Sequence, residues 1–113
     1  ENHLEWEVTE MIHKIGVPPH IKGHQYLRDA IIMSVDDERF MHSVTKLLYP
    51  TIAQLHDTTS TRVERAIRNA IVVAWDRGKT DMNYELFGYQ KPTNSEFMAV
   101  LTDRIKMGYK MEA

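Results

Sequence analysis

An all-α fold is what this sequence predicts, and three observations predict it. Apolar residues recur at three- and four-residue intervals in five separate stretches. No stretch alternates convincingly with a period of two. Thr61-Arg62-Val63-Glu64 and Thr93-Asn94-Ser95-Glu96 both have the form of a capping box, in which a hydroxyl and a glutamate three residues later satisfy each other's free N–H groups at a helix start.

Six helices follow in order. Leu4, Val8, Met11, Ile12 and Ile15 form one stripe, closed by Gly16, which can take the left-handed conformation that ends a helix. Val17-Pro18-Pro19-His20 is an extended turn, because proline fixes its own backbone and pushes its predecessor out of the helical region. Leu27, Ala30, Ile31 and Val35 mark a second helix over 23–35. The acids Asp36-Asp37-Glu38 suit the start of a third, running through Phe40, Met41 and Val44 towards Leu47 and Leu48. Pro50 opens a fourth over 50–56, where its missing N–H costs nothing, and Ile52 and Leu55 are expected inside.

Asp57-Thr58-Thr59 is a tight connection to the clearest helix of the chain. There Val63, Ala66, Ile67, Ala70, Ile71, Ala74 and Trp75 define a core stripe until Gly78. The segment 81–86 reads as looser, ahead of Gly88. The second capping box opens the last helix, with Phe97, Val100, Leu101 and Ile105 inside.

The 113 residues are one domain's worth, enough to bury a single core without disulfides or metal, and there is no cysteine to make either a disulfide or a thiolate site. The absence of cysteine suits a reducing cytoplasm. The apolar runs are too short to span a bilayer, and no charged-then-apolar leader is present. The start at Glu1-Asn2-His3, without an initiator Met, suggests a piece of a longer protein.

Net charge is −2, yet the charge is unevenly spread. Residues 1–57 carry five Lys/Arg against nine Asp/Glu, and 80–113 carry four against five. Residues 58–79 carry Arg62, Arg65, Arg68, Arg77 and Lys79 against Glu64 and Asp76. A local basic face matters more to phosphate than the global sum does.

That basic stretch coincides with the parts of a helix-turn-helix: a short helix, a turn, and a long helix from Ser60. On the long helix Arg62, Arg65, Arg68 and Asn69 fall opposite Val63, Ile67, Ala70 and Ala74. Arg suits guanine O6/N7, Asn suits adenine, and Glu64 can accept from cytosine N4, so these five are the candidate base-reading residues. The hydroxyls of Thr58, Thr59, Ser60 and Thr61, beside the free N–H groups of a helix start, suit DNA phosphate. Spacing alone serves a solvated face equally well. A protein-interaction module presenting Arg62, Arg65 and Arg68 to an acidic partner is the alternative.

The residues also carry a resemblance. Ile15-Gly16-Val17-Pro18, His20-Ile21-Lys22-Gly23, Tyr26-Leu27-Arg28, Leu48-Tyr49-Pro50, Arg62-Val63-Glu64-Arg65-Ala66-Ile67-Arg68, Ala74-Trp75, Leu86-Phe87-Gly88-Tyr89 and Lys91-Pro92-Thr93-Asn94-Ser95-Glu96-Phe97 occur in an order that resembles the C-terminal effector domain of the stage-zero sporulation response regulators of endospore-forming bacteria. The resemblance implies a six-helix fold containing a helix-turn-helix, and a transcription factor of sporulation that activates some promoters and represses others. It implies double-stranded DNA as partner, read at a TGTCGAA-like box by Arg62, Glu64, Arg65 and Arg68, with a tandem dimer on the DNA. It further implies a phosphoacceptor receiver domain outside this chain, and an RNA polymerase sigma subunit that meets 75–86, with Asp76, Lys79, Asp81 and Glu85 as candidate contacts. Two positions depart from the familiar pattern: Asn69 stands where a His is usual, and His24 where a Tyr is usual.

Other signals lead elsewhere. His20 and His24 have the spacing of a metal pair, but Pro19 and Gly23 interrupt the helix that would align them and no third ligand is visible, so no metal is expected. There is no Ser-His-Asp arrangement, phosphate-cradling glycine loop or H-E-x-x-H string, so neither an enzyme nor a cofactor is expected.

Overall fold

Helix starts and stops in this chain are set by a handful of local devices. In the computed structural model, which describes residues 2–77 and 81–112, these devices yield seven α-helices, one π-turn and no strand among the described residues. Helix α1 (Asn2–Ile15) ends as expected at Gly16, whose φ of 111° lets the Val17 N–H reach back to the Ile12 carbonyl at 3.1 Å. Helix α2 (Lys22–Asp36) follows the proline turn.

Asp37, expected to open a helix with its acidic neighbours, does so: its Oδ1 accepts the Arg39 N–H at 3.0 Å, and its carboxylate grips the Arg39 guanidinium at 2.7 Å. This pairing with Arg39 holds the Asp37 carboxyl below the usual carboxylate range. The third helix is shorter than its stripe suggested. It is α3 (Arg39–His42), cut off at Ser43, whose backbone leaves the helical region. The chain then turns through the wider π-turn (Val44–Leu48) into α4 (Tyr49–Leu55), with Pro50 in the first turn.

Helix α4 buries Tyr49, Ile52 and Ala53. Leu55, expected inside, is 65% exposed. At 100° per residue it lies about 110° from the centre of the face those three define, a displacement hidden when spacing is counted from Ile52 alone. Helix α5 (Ser60–Arg77) buries Val63, Ile67, Ala70, Ile71 and Ala74. Trp75, placed by spacing on the same stripe, is only partly buried, because Ala74 takes the core position and Trp75 lies one residue round from it.

Gly78, expected to end α5, lies outside the described residues. The segment read as loose is helix α6 (Asp81–Phe87), pinned by the buried Asn83 Nδ2 donating to the Ile15 carbonyl at 3.2 Å and closed by Gly88 at φ 75°. It raises the helix count from six to seven among the described residues. The capping box of α7 (Asn94–Glu112) forms as the sequence specifies. The Glu96 N–H donates to Thr93 Oγ1 at 3.1 Å and the Thr93 N–H to Glu96 Oε1 at 2.9 Å.

Helix α2 lies at the centre, packed on α1, α5 and α7, and α7 closes the far side against α1, α3, α5 and α6. Phe97, Leu101 and Ile105 are buried as expected, and Met98 joins them, while Val100 is only partly covered. Among the described residues no helix is long and apolar enough to cross a membrane.

Candidate nucleic-acid interface

The site begins at the turn between α4 and α5, residues 56–59. Asp57 takes a left-handed φ of 53°, so the Thr58 N–H can bond the Ala53 carbonyl at 2.9 Å and the Asp57 N–H the Gln54 carbonyl at 3.4 Å. This Schellman closure stops α4 abruptly without a glycine; short polar Asp is among the few side chains that tolerate that backbone. His56 then fastens the turn to α2. Its Nε2 lies 2.5 Å from Asp29 Oδ2, and its ring meets Tyr26 edge-on at 5.1 Å between centroids.

The capping box expected at Thr61 and Glu64 does not form. The cap is Thr59, whose Oγ1 accepts the Arg62 N–H at 3.2 Å and whose carbonyl accepts the Val63 N–H at 3.0 Å. With the helix starting at Ser60, Thr61 is already inside the first turn, and Glu64 lies two residues beyond Arg62, the position from which a side chain could reach back to the cap. Four consecutive hydroxyl residues offer several registers, and the Schellman turn two residues earlier selects the first that fits.

What orients α5 is burial. Val63, Ile67 and Ile71 are each at least 98% buried, and such side chains contribute about 1.5–3 kcal/mol apiece. The surface pair Glu64–Arg68, at 3.5 Å and half-exposed, belongs to a class worth only about 0.2–0.5 kcal/mol. The apolar stripe therefore decides which face points outward. Arg62, Arg65, Arg68 and Asn69 are all exposed, and with Thr61 they occupy an arc of about 120° on the side away from α2. Thr59 is exposed too, with Thr58 and Ser60 half-buried beside it. Thr59 spends an oxygen lone pair on the cap and keeps its hydroxyl proton to donate.

Glycine at position 23 lets α5 sit this close. A Cβ there would lie 2.7 Å from Ala70 Cβ and 3.0 Å from the Ala66 carbonyl carbon, and closer still to the Ala66 oxygen, so α2 and α5 touch backbone to backbone. On the other flank, Asn94 at the start of α7 reaches α5. Its Nδ2 donates to Tyr49 Oη at 3.1 Å and to the Glu64 carbonyl at 3.2 Å, with the Glu64 carboxylate at 3.5 Å. Burial pushes the Tyr49 phenol above its ordinary range, against the opposing hydrogen bond from Asn94. These groups, with Arg68 and Lys91, line an open cleft of about 460 Å³ between α5 and the α7 start.

Sequence spacing set Arg62, Arg65, Arg68 and Asn69 on one face of α5, and they lie exposed together there. Spacing missed His56, Asp29, Gly23 and Asn94, whose contacts join distant segments; Gly23 and Asn94 lay within the strings that carry the resemblance.

Of the four candidate sigma-contact residues, Asp76, Asp81 and Glu85 are exposed, the last two one turn apart on α6. Lys79 lies outside the described residues. His24, the departure noted in α2, is buried, and its imidazole is held below the ordinary histidine range first by burial and then by Arg28 and His13. His20 is exposed in the preceding turn.

The family described as sporulation initiation factor Spo0A C terminal matches residues 8–105, nearly the whole chain, and the short helix, turn and long helix at 49–77 fit it. It is a family of transcription factors, not of enzymes. The chain belongs to the sporulation initiation factor Spo0A C-terminal family, a DNA-binding domain of transcription regulation in sporulation.

Proposed function

We propose that the domain reads a specific DNA sequence through the outward face of α5, entering the major groove with its first turns. Arg62, Arg65 and Arg68 grip guanine edges, Asn69 contacts adenine and Glu64 accepts from cytosine, while Thr58, Thr59, Ser60 and Thr61 hold flanking phosphates. The observation that carries this reading is the exposed row of three arginines and an asparagine, directed outward by the buried stripe of the same helix. The target is a TGTCGAA-like box, at which the domain activates some promoters and represses others. In the cell it works in the cytoplasm as the single effector domain of a longer protein, bound as a tandem dimer and controlled by a phosphoacceptor receiver domain. The exposed acids Asp76, Asp81 and Glu85, with Lys79, form the surface offered to the RNA polymerase sigma subunit.

The test is a binding assay at fixed salt on duplexes of equal length with and without the box. Wild type should prefer the box, and Arg65→Ala should cost about 1–3 kcal/mol there and much less on the random duplex. Equal binding to both duplexes by wild type would refute sequence reading and favour the Arg62/Arg65/Arg68 face as a dock for an acidic protein.

A further inference from the structure

Glu64 is the one acidic residue among the proposed base readers of α5, half-buried at the edge of the exposed arc, and a carboxylate beside phosphates is repelled unless something sets where it points. It also has a competitor for its attention in Arg68, 3.5 Å away and one turn on. An unconstrained Glu at this place would divide its time among rotamers, most of which face no base.

The side chain of Asn94 addresses that freedom. It is half-buried where α7 begins, 30 residues further along the chain, and its amide nitrogen faces three oxygens. Two N–H hydrogens are available. The two shorter contacts go to Tyr49 Oη and the Glu64 carbonyl, so the start of α7 is tied at once to α4 and to the backbone of α5 at the reading residue. The Glu64 carboxylate, at 3.5 Å, is the third and loosest acceptor. It is thus biased towards the Asn94 side of the helix yet remains free to turn when a better donor arrives. Tyr49 is buried, so the Oη at the other end of this link sits in the core rather than on a mobile surface chain.

We infer that Asn94 is a positioning residue for base recognition: its amide anchors the α5 backbone at Glu64 and biases the Glu64 carboxylate towards the start of α7, and so sets the stringency at the one base pair that Glu64 faces. The inference rests on the reading that Glu64 contacts a base. Asn94 itself need not touch DNA. The link predicts that position 94 controls discrimination at a single base pair and leaves the general attraction to phosphate alone.

The experiment measures Kd at fixed salt for wild type, Asn94→Ala, Asn94→Asp, Glu64→Ala and the Glu64→Ala/Asn94→Ala double variant. Each is titrated with the TGTCGAA duplex, with every single-base replacement of it, and with a random duplex, and far-UV spectra and Tm are recorded for all. Wild-type preference for the box should fall about tenfold at one position in Asn94→Ala, the same position at which Glu64→Ala loses preference. Affinity for the random duplex should be unchanged. The double variant should discriminate no worse than Glu64→Ala alone, because Asn94 acts through Glu64. Asn94→Asp keeps the volume but sets a carboxylate against the Glu64 oxygens, and should lose more preference at that position than Asn94→Ala. Unchanged discrimination overturns the inference, as does a loss spread evenly over all positions or shared by the random duplex. A wild-type protein that does not distinguish box from random sequence overturns the DNA-reading proposal itself. A Glu64→Ala variant that keeps full discrimination, beside a wild type that shows it, removes Glu64 from that proposal and this inference with it.

Discussion

Replacing Gly23 by alanine sets two effects of known size against each other at the α2–α5 crossing. Within a helix, Gly→Ala gains up to about 1 kcal/mol of propensity. The added methyl, however, would stand 2.7 Å from Ala70 Cβ and nearer still to the Ala66 carbonyl oxygen, whereas carbon atoms in contact prefer roughly 3.5–4.0 Å. The obstacle includes backbone, so no side chain can rotate away, and the two helices must separate by about 1 Å. Overpacking of that kind costs about 1–3 kcal/mol and occasionally more, so the clash wins. For a domain of this size each kcal/mol moves Tm by roughly 4 °C, so a net loss of up to about 2 kcal/mol should lower the melting point of Gly23→Ala by as much as about 8 °C. Gly108 provides the control: it lies in α7 with nothing within 4 Å of where its Cβ would be, so Gly108→Ala should melt at or above wild type. Because the displaced helix is α5, Gly23→Ala should also lose affinity for the box duplex more than for a random one. Thermal melts followed at 222 nm and the two-duplex titration read both effects. A Gly23→Ala domain that melts as high as wild type would refute the claim that these backbones touch.

Three further outcomes follow from the geometry. Thr59→Ala should destabilise by about 1 kcal/mol through loss of the α5 cap, while Thr61→Ala, inside the first turn, should change Tm little; the reverse ranking in thermal melts would restore the cap to Thr61. His24 is kept neutral below its ordinary pKa by burial, so the unfolded chain binds its proton first. Its contribution to stability is complete above about pH 6.5 and is lost as pH falls through that value towards the lowered folded-state pKa, and urea unfolding of His24→Gln should show a shallower loss across that window than wild type. Asp76→Lys, at the exposed end of α5, should leave the far-UV spectrum and box affinity nearly intact while reducing transcription from activated promoters only, and a matching loss of box affinity would make Asp76 part of the DNA surface.

How much of this was legible in the sequence depended on how far apart the interacting groups lie. The α7 capping box could be read because both of its reciprocal bonds join residues three apart. The stripe of α5 could be read because helical periodicity is local, and the stripe alone determines that Arg62, Arg65, Arg68 and Asn69 face outward. Where several local solutions compete, reading failed. Four hydroxyls in a row concealed which one caps α5, and Ile52 concealed the outward turn of Leu55. The support of α5 was beyond local pattern altogether: His56 meets Asp29 across 27 residues, and Asn94 meets Tyr49 across 45.

Yet the strings that carry the family resemblance are not spread evenly over the fold. Apart from α5 itself, they include Gly23, where α2 touches α5; Tyr49, where α4 meets Asn94; and the segment 91–97, where Asn94 reaches Glu64. A helix that reads bases must be held to within a fraction of an ångström, since a bidentate grip tolerates little displacement. The arginine face alone would serve any anion. The backbone contact at Gly23 and the amide at Asn94 are what would make that face a reader of sequence, because they hold α5 from both flanks while Thr61, Arg62 and Arg65 in its first turns stay exposed.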